Sequence, residues 1–157
     1  MFLHDLISPE RVSLSISASS KKRLLEKISE LLGDAVPGLD GRATFQSLID
    51  RERLGSTGVG NGVALPHGRL KGLDRAVGAC IILKDEMDYD SIDSKPVKIV
   101  FALLVPEQAT KEHLQLLAQL ARILGDKENR EQLLNAKQSD EVYNFFRSFD
   151  SDYQQAS

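Results

Sequence analysis

Residues 51–69 read RERLGSTGVGNGVALPHGR, and four of the chain's 11 glycines fall between residues 55 and 62. Glycine adopts positive φ without strain and lets backbone N–H groups approach a ligand closely. Successive N–H groups in such turns form concavities that bind anions, and two hydroxyl side chains in the same segment add donors. The predicted phosphate-binding loop comprises Ser56, Thr57, Gly58, Gly60, Asn61, Gly62 and Gly68.

The histidine that follows the glycines, His67, is a candidate nucleophile. Imidazole titrates near neutrality, so a neutral ring is available to attack a phosphoryl group. Pro66 fixes the backbone just before the histidine, and Gly68 leaves the backbone after it unobstructed. The residues alone leave a second interpretation open, in which the glycines form ordinary turns and His67 is a surface residue. The segment lacks the Gly-Lys-Ser/Thr ending of a P-loop and the strand-then-helix context of a dinucleotide site, so nucleotide binding is not predicted.

Patterning on both sides of this segment predicts strands interleaved with helices, which is typical of a single layered α/β domain. The alternation of residues 11–16 predicts a strand, and two short apolar runs, 76–83 and 97–105, predict buried strands. Apolar stripes predict five helices with recognisable ends. The predicted helices run from Ser19 or Ser20 to Gly33, from about Asp40 to Gly55, from a Thr110 cap to Gly125, over about 126–136, and from about Ser139. The domain spans 1–157, with a core of about 5–150 and a frayed polar tail over 151–157.

Composition excludes several classes of function. The 157 residues carry a net charge of -3 without a basic block, so a nucleic-acid footprint is not supported. A single cysteine, Cys80, can form neither an internal disulfide nor a cysteine-based zinc site, and no metal or cofactor is expected. The N-terminus does not resemble a signal peptide and no run is long enough to span a membrane, so we expect a cytoplasmic protein.

The stretch from Arg51 to Arg69 closely resembles the signature of IIA proteins of the fructose/mannitol class of the bacterial phosphotransferase system. The resemblance extends to residues 101–106 and 110–114 and covers essentially the whole chain. It implies a central mixed β-sheet flanked by helices, with the active-site loop at one edge of the sheet. It also implies that His67 accepts a phosphoryl group from the phosphohistidine of a small carrier protein, HPr or its nitrogen-branch relative.

Two further side chains gain a role from this resemblance. His113 alone reads as an exposed histidine in the first turn of a helix, where the helix dipole disfavours a charged ring. It matches the family's second active-site histidine, which implies a supporting role beside His67. Arg51 matches the family arginine that contacts the phosphate, whereas Arg53 is interpreted as helix surface or carrier contact. Arg69, next to Gly68, could also screen charge at the site, although the motif supports this role less. His4 has no motif around it and is interpreted as a surface residue.

The branch of the family is indicated by the N-terminal segment 6–12, which resembles the nitrogen-regulatory subgroup. There the phosphorylation state tunes partners such as potassium-transport systems and sensor kinases. Two alternatives remain open at this point. One is a sugar-specific IIA protein that passes phosphate to a IIB component, and the other is a non-catalytic module that grips a phosphorylated ligand.

Overall fold

The computed structural model of the chain describes residues 3–108 and 110–156. The strands are short around the glycine-rich segment and long in the middle of the sheet. They are β1 Val12–Ser13, β2 Gly58–Gly60, β3 Val63–Ala64, β4 His67–Leu70, β5 Val77–Met87 and β6 Val97–Pro106. The helices are α1 Lys21–Ala35, α2 Gly41–Arg53, α3 Thr110–Gly125, α4 Lys127–Leu134 and α5 Ser139–Ala156, and two 3₁₀ turns precede β1 at Leu3–Asp5 and Pro9–Arg11.

The six strands form one mixed sheet, as the resemblance implies. The strand order is β1-β5-β6-β3-β2, and β4 pairs with β6 beyond the end of β3. β5 and β6 are antiparallel, while β1 runs parallel to β5 and both β3 and β4 run parallel to β6. The glycine-rich segment therefore supplies one edge of the sheet. His67 lies in β4, which pairs with β6.

The two central strands are buried on both faces, which explains their continuous apolar sequence. Alternate residues of β5 and β6 belong to two separate cores. One core lies against α1 and α2 and includes Ile81, Val100 and Leu104. The other lies against α3, α4 and α5 and includes Phe101, whose ring meets Phe146 edge to face at 5.1 Å. The result is a three-layered arrangement of helices, sheet and helices.

Side-chain caps fix the starts of three helices at the predicted residues. Ser20 Oγ accepts from the backbone N–H of Arg23 at 3.1 Å, and the Asp40 carboxylate accepts from two N–H groups of α2. Asp126 caps α4 in the same way, which satisfies donors that have no partner within a helix. α3 begins at Thr110 and ends at Gly125; the side chain of Thr110, predicted as its cap, lies outside the described residues.

Several predicted boundaries differ from the structure. β5 continues past the predicted end at residue 83 to Met87. α1 continues past Gly33 to Ala35, because the Val36 N–H still bonds Leu32 O, and it ends where Pro37 forces Val36 into an extended conformation. The strand predicted over 11–16 shrinks to Val12–Ser13, because a 3₁₀ turn closed by Arg11 N and Ser8 O precedes it and the chain bends at residues 14–15 after it. The predicted polar tail continues α5 to Ala156. Of the residues from 3 to 108 and from 110 to 156, none lies in a helix long and apolar enough to cross a membrane.

Candidate phosphoryl-acceptor site

His67 begins β4, and the pairing of β4 with β6 fixes its place in the fold. Its Cα is registered opposite Leu103, and the N–H of Leu103 donates to Pro66 O at 3.0 Å. On the other side, α2 approaches β4 so closely that a Cβ on Gly68 would collide with Ser47. The Ser47 hydroxyl donates to Arg69 O at 2.7 Å, which ties α2 to this strand. Gly68 is therefore required by packing, whereas the sequence suggested only an unobstructed backbone.

The hydrogen bond of the His67 ring decides which nitrogen can react. Nδ1 lies 2.8 Å from the carbonyl oxygen of Leu65. Because a carbonyl oxygen can only accept, Nδ1 carries the proton, and in a neutral ring Nε2 keeps its lone pair. Burial lowers the pKa of His67 below its usual value of 6.5; the Leu65 carbonyl and Glu52 oppose this shift, and the positive charge of Arg51 adds to it. The lowered pKa favours a neutral ring at pH 7, with Nε2 unprotonated.

His113 lies in the first turn of α3, beside His67. The ring centroids are 5.2 Å apart and the ring planes are inclined by 75°. His113 is only 6% exposed, and its buried Nε2 has no hydrogen-bond partner among the described residues. Burial, followed by the charges of His67, Arg69 and Arg51, lowers the pKa of His113 to about 4. The ring is therefore neutral near pH 7 and retains one unused polar nitrogen.

The arginines predicted for the site differ in their surroundings. Arg51 is half-buried in the last turn of α2 and its Nη1 donates to Gly55 O at 2.9 Å, so most of its N–H groups remain available. Its charge is one of the smaller causes that lower the pKa of both histidines, after burial. Arg53 is exposed, and its Nη1 lies 3.5 Å from Asp50 Oδ1, as expected for a residue on the helix surface. Arg69 is exposed and acts on the pKa of His113.

The predicted phosphate loop is not one continuous cradle. Gly60, Asn61 and Gly62 all have positive φ and form the turn between β2 and β3, where the Asn61 N–H donates to Asp93 Oδ2. Gly62 O bonds the N–H groups of Lys98 and Ile99 on β6, whereas His67 is registered at residue 103. At a rise of about 3.3 Å per residue, this turn lies roughly 13–16 Å along the strand from His67. The structure therefore separates the turn from the histidines.

The hydroxyls of the loop point inward. Thr57 is buried, and its Oγ1 donates to Glu52 Oε2 at 2.5 Å. Ser56 Oγ donates to Tyr89 O at 3.1 Å and accepts from the N–H of Gly58 at 3.1 Å. Gly58 is packed so closely on Ser91 that it has no room for a Cβ. In this conformation both hydroxyls are used within the protein, so the geometry does not present them to a ligand.

Glu52 is a buried carboxylate near the candidate site that sequence reasoning missed. It is buried on the same face of α2 as Leu48, one helical turn earlier, and this spacing is the signal that could have found it. Its carboxylate pairs with Lys21 at 2.9 Å and accepts hydrogen bonds from Thr57. In the part of the chain that the structure describes, no group of three or more His, Cys, Asp or Glu side chains is arranged to hold a metal ion.

Comparison with known proteins identifies the family of the chain. The sequence model of the family described as "Phosphoenolpyruvate-dependent sugar phosphotransferase system, EIIA 2" matches residues 5–149. The chain belongs to this family. It is therefore a phosphotransfer component, and the matched region contains both histidines and Arg51.

Individual relatives indicate the branch. The nitrogen regulatory protein of Pseudomonas aeruginosa is 41% identical over 141 residues, which cover 90% of this chain and 92% of the relative. The solved structure of the nitrogen regulatory protein IIA-Ntr from Neisseria meningitidis has a TM-score of 0.86 at 40% identity and covers 92% of this chain and 98% of its own. The Escherichia coli enzyme IIA of mannitol, solved in complex with phosphorylated enzyme IIB, shares the fold, with a TM-score of 0.76 at 20% identity over 90% and 97% of the two chains. The chain thus resembles the nitrogen-regulatory branch more than the mannitol protein.

Proposed function

We propose that this phosphotransferase-system protein accepts a phosphoryl group on Nε2 of His67 and regulates partner proteins through its phosphorylation state. The observation that carries the proposal is the bond from His67 Nδ1 to Leu65 O, because it leaves Nε2 as the nucleophile. The lowered pKa of His67 supports the same role, since a neutral ring is the form that reacts. The donor is a phosphohistidine carrier protein, HPr or its nitrogen-branch relative, which places the reaction in the cytoplasm.

In the proposed step, the lone pair of His67 Nε2 attacks the phosphorus of the donor phosphohistidine in line with the departing ring. A new N–P bond forms while the donor N–P bond breaks, and its electron pair returns to the donor ring. Nδ1 of His67 keeps its proton during the attack, held by Leu65 O, so no general base is required for the transfer. The phosphorylated ring is cationic at this point, and release of the Nδ1 proton to solvent leaves a neutral ring that carries a doubly charged phosphoryl group. The unused N–H groups of Arg51 and the neutral ring of His113 would meet the phosphoryl oxygens, as groups that stabilise developing charge do.

The regulatory output is proposed from the similarity to nitrogen regulatory proteins. A phosphoryl group adds roughly two negative charges at neutral pH, and it would do so near Arg51 and Arg69, whose charges act on the site histidines. The two added negative charges would offset these two positive charges, and such a change in local charge can exchange one protein partner for another. Potassium-transport systems and sensor kinases are the partner classes proposed for this signal.

The test is intact-mass analysis after incubation with phosphoenolpyruvate, enzyme I and a carrier protein. The native chain should gain one acid-labile phosphoryl group, and His67→Ala should gain none. The chain has three histidines, so His4→Ala is the matched control and should be labelled like the native chain. Absence of labelling on the native chain with a competent donor set would leave the phosphate-gripping module as the better explanation. Rapid onward transfer to a IIB protein would favour the sugar-specific alternative.

A further inference from the structure

A buried carboxylate lies beneath the start of the glycine-rich segment. The side chain of Glu52 is 3% exposed. Its Oε1 accepts from the backbone N–H of Thr57 at 3.0 Å, and its Oε2 accepts from the Thr57 hydroxyl at 2.5 Å. One carboxylate therefore holds both the main chain and the side chain of a single residue, which fixes the conformation of that residue relative to the end of α2.

The negative charge of Glu52 is compensated locally. Lys21 Nζ lies 2.9 Å from Glu52 Oε1 and 4.7 Å from the centre of the Tyr89 ring, and the Tyr89 hydroxyl donates to Glu52 Oε2 at 3.3 Å. The free energy needed to transfer two charges out of water is comparable to the free energy of their attraction. A buried ion pair is therefore weak evidence for stability. Its clearer effect here is directional, because every donor around the carboxylate has a defined position.

A continuous series of hydrogen bonds leads from Glu52 to the nucleophile. Glu52 holds Thr57 by two bonds, and the carbonyl oxygen of Thr57 accepts from the N–H of Leu65 at 2.9 Å. The carbonyl oxygen of Leu65 in turn accepts from Nδ1 of His67 at 2.8 Å. The group that sets the orientation and tautomer of the reacting ring is therefore held, through one intervening residue, by the buried carboxylate.

We propose that Glu52 is a positioning residue for phosphoryl transfer, which acts through Thr57 and Leu65 to hold His67 Nε2 in line with the donor. The proposal rests on the proposed function. The charge of Glu52 also acts on His67, in the direction opposite to that of its neighbour Arg51. Arg51 lowers the pKa of His67, whereas Glu52 raises it. Glu52 can therefore affect His67 through its hydrogen bonds and through its charge, and different variants are needed to separate the two effects.

Three variants separate these roles. Glu52→Gln removes the charge and weakens both bonds to Thr57. Thr57→Val removes the hydroxyl donor but leaves the Glu52 charge in place, and Thr57→Ser retains both donors. Glu26→Gln is the matched control, because it neutralises a carboxylate of α1 that pairs with Arg23.

The measurements are the rate of His67 phosphorylation at saturating carrier, the half-saturating carrier concentration, and the His67 titration followed by ¹⁵N NMR. Since misplacing a reacting group by about 1 Å can cost up to 100-fold, we expect Glu52→Gln and Thr57→Val to slow the saturated rate about tenfold. The half-saturating concentration should stay at its native value. The pKa of His67 should fall in Glu52→Gln alone, and Thr57→Ser and Glu26→Gln should behave like the native chain.

Native saturated rates in folded Glu52→Gln and Thr57→Val would overturn the inference, as would a rate loss that Thr57→Ser does not rescue. If Glu52→Gln fails to fold, the comparison of Thr57→Val with Thr57→Ser decides alone. Failure of the proposed function is a separate outcome, because in that case the native chain itself is not phosphorylated.

Discussion

His113 meets His67 edge to face, with 5.2 Å between the ring centroids and 75° between the ring planes. Two charged imidazoles at this distance would repel each other, and the proximity of His67 is one of the causes that lower the pKa of His113. The pair is therefore built to be neutral, which suits one ring for attack and the other for contact with the incoming phosphoryl oxygens.

The pKa of His113 predicts a pH dependence of stability. The unfolded chain binds a proton at His113 near pH 6.5, whereas the folded chain does so only at about 4. Between these values the unfolded state holds more protons, so stability falls as pH falls, by up to about 3 kcal/mol. Urea unfolding of the native chain and His113→Gln from pH 7.5 to 4 should show a shallower pH slope in the variant. Equal pH slopes in the native chain and the variant would contradict the lowered pKa of His113. The difference in stability at pH 7.5, where His113 is neutral in both states, gives the cost of the substitution itself.

The tautomer of His67 can be measured directly. We expect long-range ¹H–¹⁵N NMR at pH 7.5 to show Nδ1 protonated and Nε2 unprotonated, because Leu65 O can only accept. On titration, the midpoint of the ring should lie below the usual value of 6.5, since burial lowers its pKa. Protonation at Nε2 would remove the support for Nε2 as the phosphorylated nitrogen, and a midpoint at or above 6.5 would contradict the lowered pKa.

Arg51 and Arg53 are a matched pair two residues apart on α2, so identical substitutions test their different surroundings. Arg51→Lys keeps the charge but loses the planar fork that bonds two phosphoryl oxygens at once. We expect it to slow phosphorylation of His67 about tenfold, on the scale of one charge-assisted hydrogen bond. Arg53→Lys, on the exposed side of the helix, should retain the native rate. Equal rates in the two variants would place Arg51 outside the reaction.

Gly68 should tolerate no side chain. A Cβ at this position would overlap the Ser47 side chain and press on its backbone carbon, so α2 and β4 would have to separate. Overpacking of this kind costs about 1–3 kcal/mol, which we expect in urea unfolding of Gly68→Ala. Gly125→Ala is the control, because its Cβ would enter open space. Stability of Gly68→Ala within error of the native chain would show that α2 can move away freely.

The sequence predicted the elements whose signals are local. Ser20, Asp40 and Asp126 lie at helix starts, and the apolar runs of β5 and β6 identified the two central strands. The place of His113 after the strand that ends at residue 105 could bring it near His67, but its role there followed only from the family resemblance. The two residues meet through the parallel pairing of β4 with β6. That pairing has no signature within either segment.

The parts of the site that could not be predicted depend on long-range partners. Thr57 reads as a donor to a ligand until Glu52 is seen to be buried beside it. Ser56 is bonded to Tyr89, 33 residues away, and no periodicity connects them. Glycine-rich composition also could not distinguish a phosphate cradle from a β-turn, since Gly60 and Gly62 need positive φ in either case.

Lys21 should be essential to stability only while Glu52 is charged. Lys21→Met leaves the carboxylate, which is 3% exposed, without the cation at 2.9 Å. Breaking one side of a buried pair costs about 3–5 kcal/mol, whereas replacing both sides is often close to neutral. We therefore expect Lys21→Met to lower the urea midpoint strongly, and Lys21→Met combined with Glu52→Gln to recover most of the loss. The double variant should still show the slower phosphorylation expected of Glu52→Gln, because its bonds to Thr57 remain weakened. Additive losses of stability in the double variant would mean that the two side chains do not compensate each other, and that Glu52 is balanced by its hydrogen bonds alone.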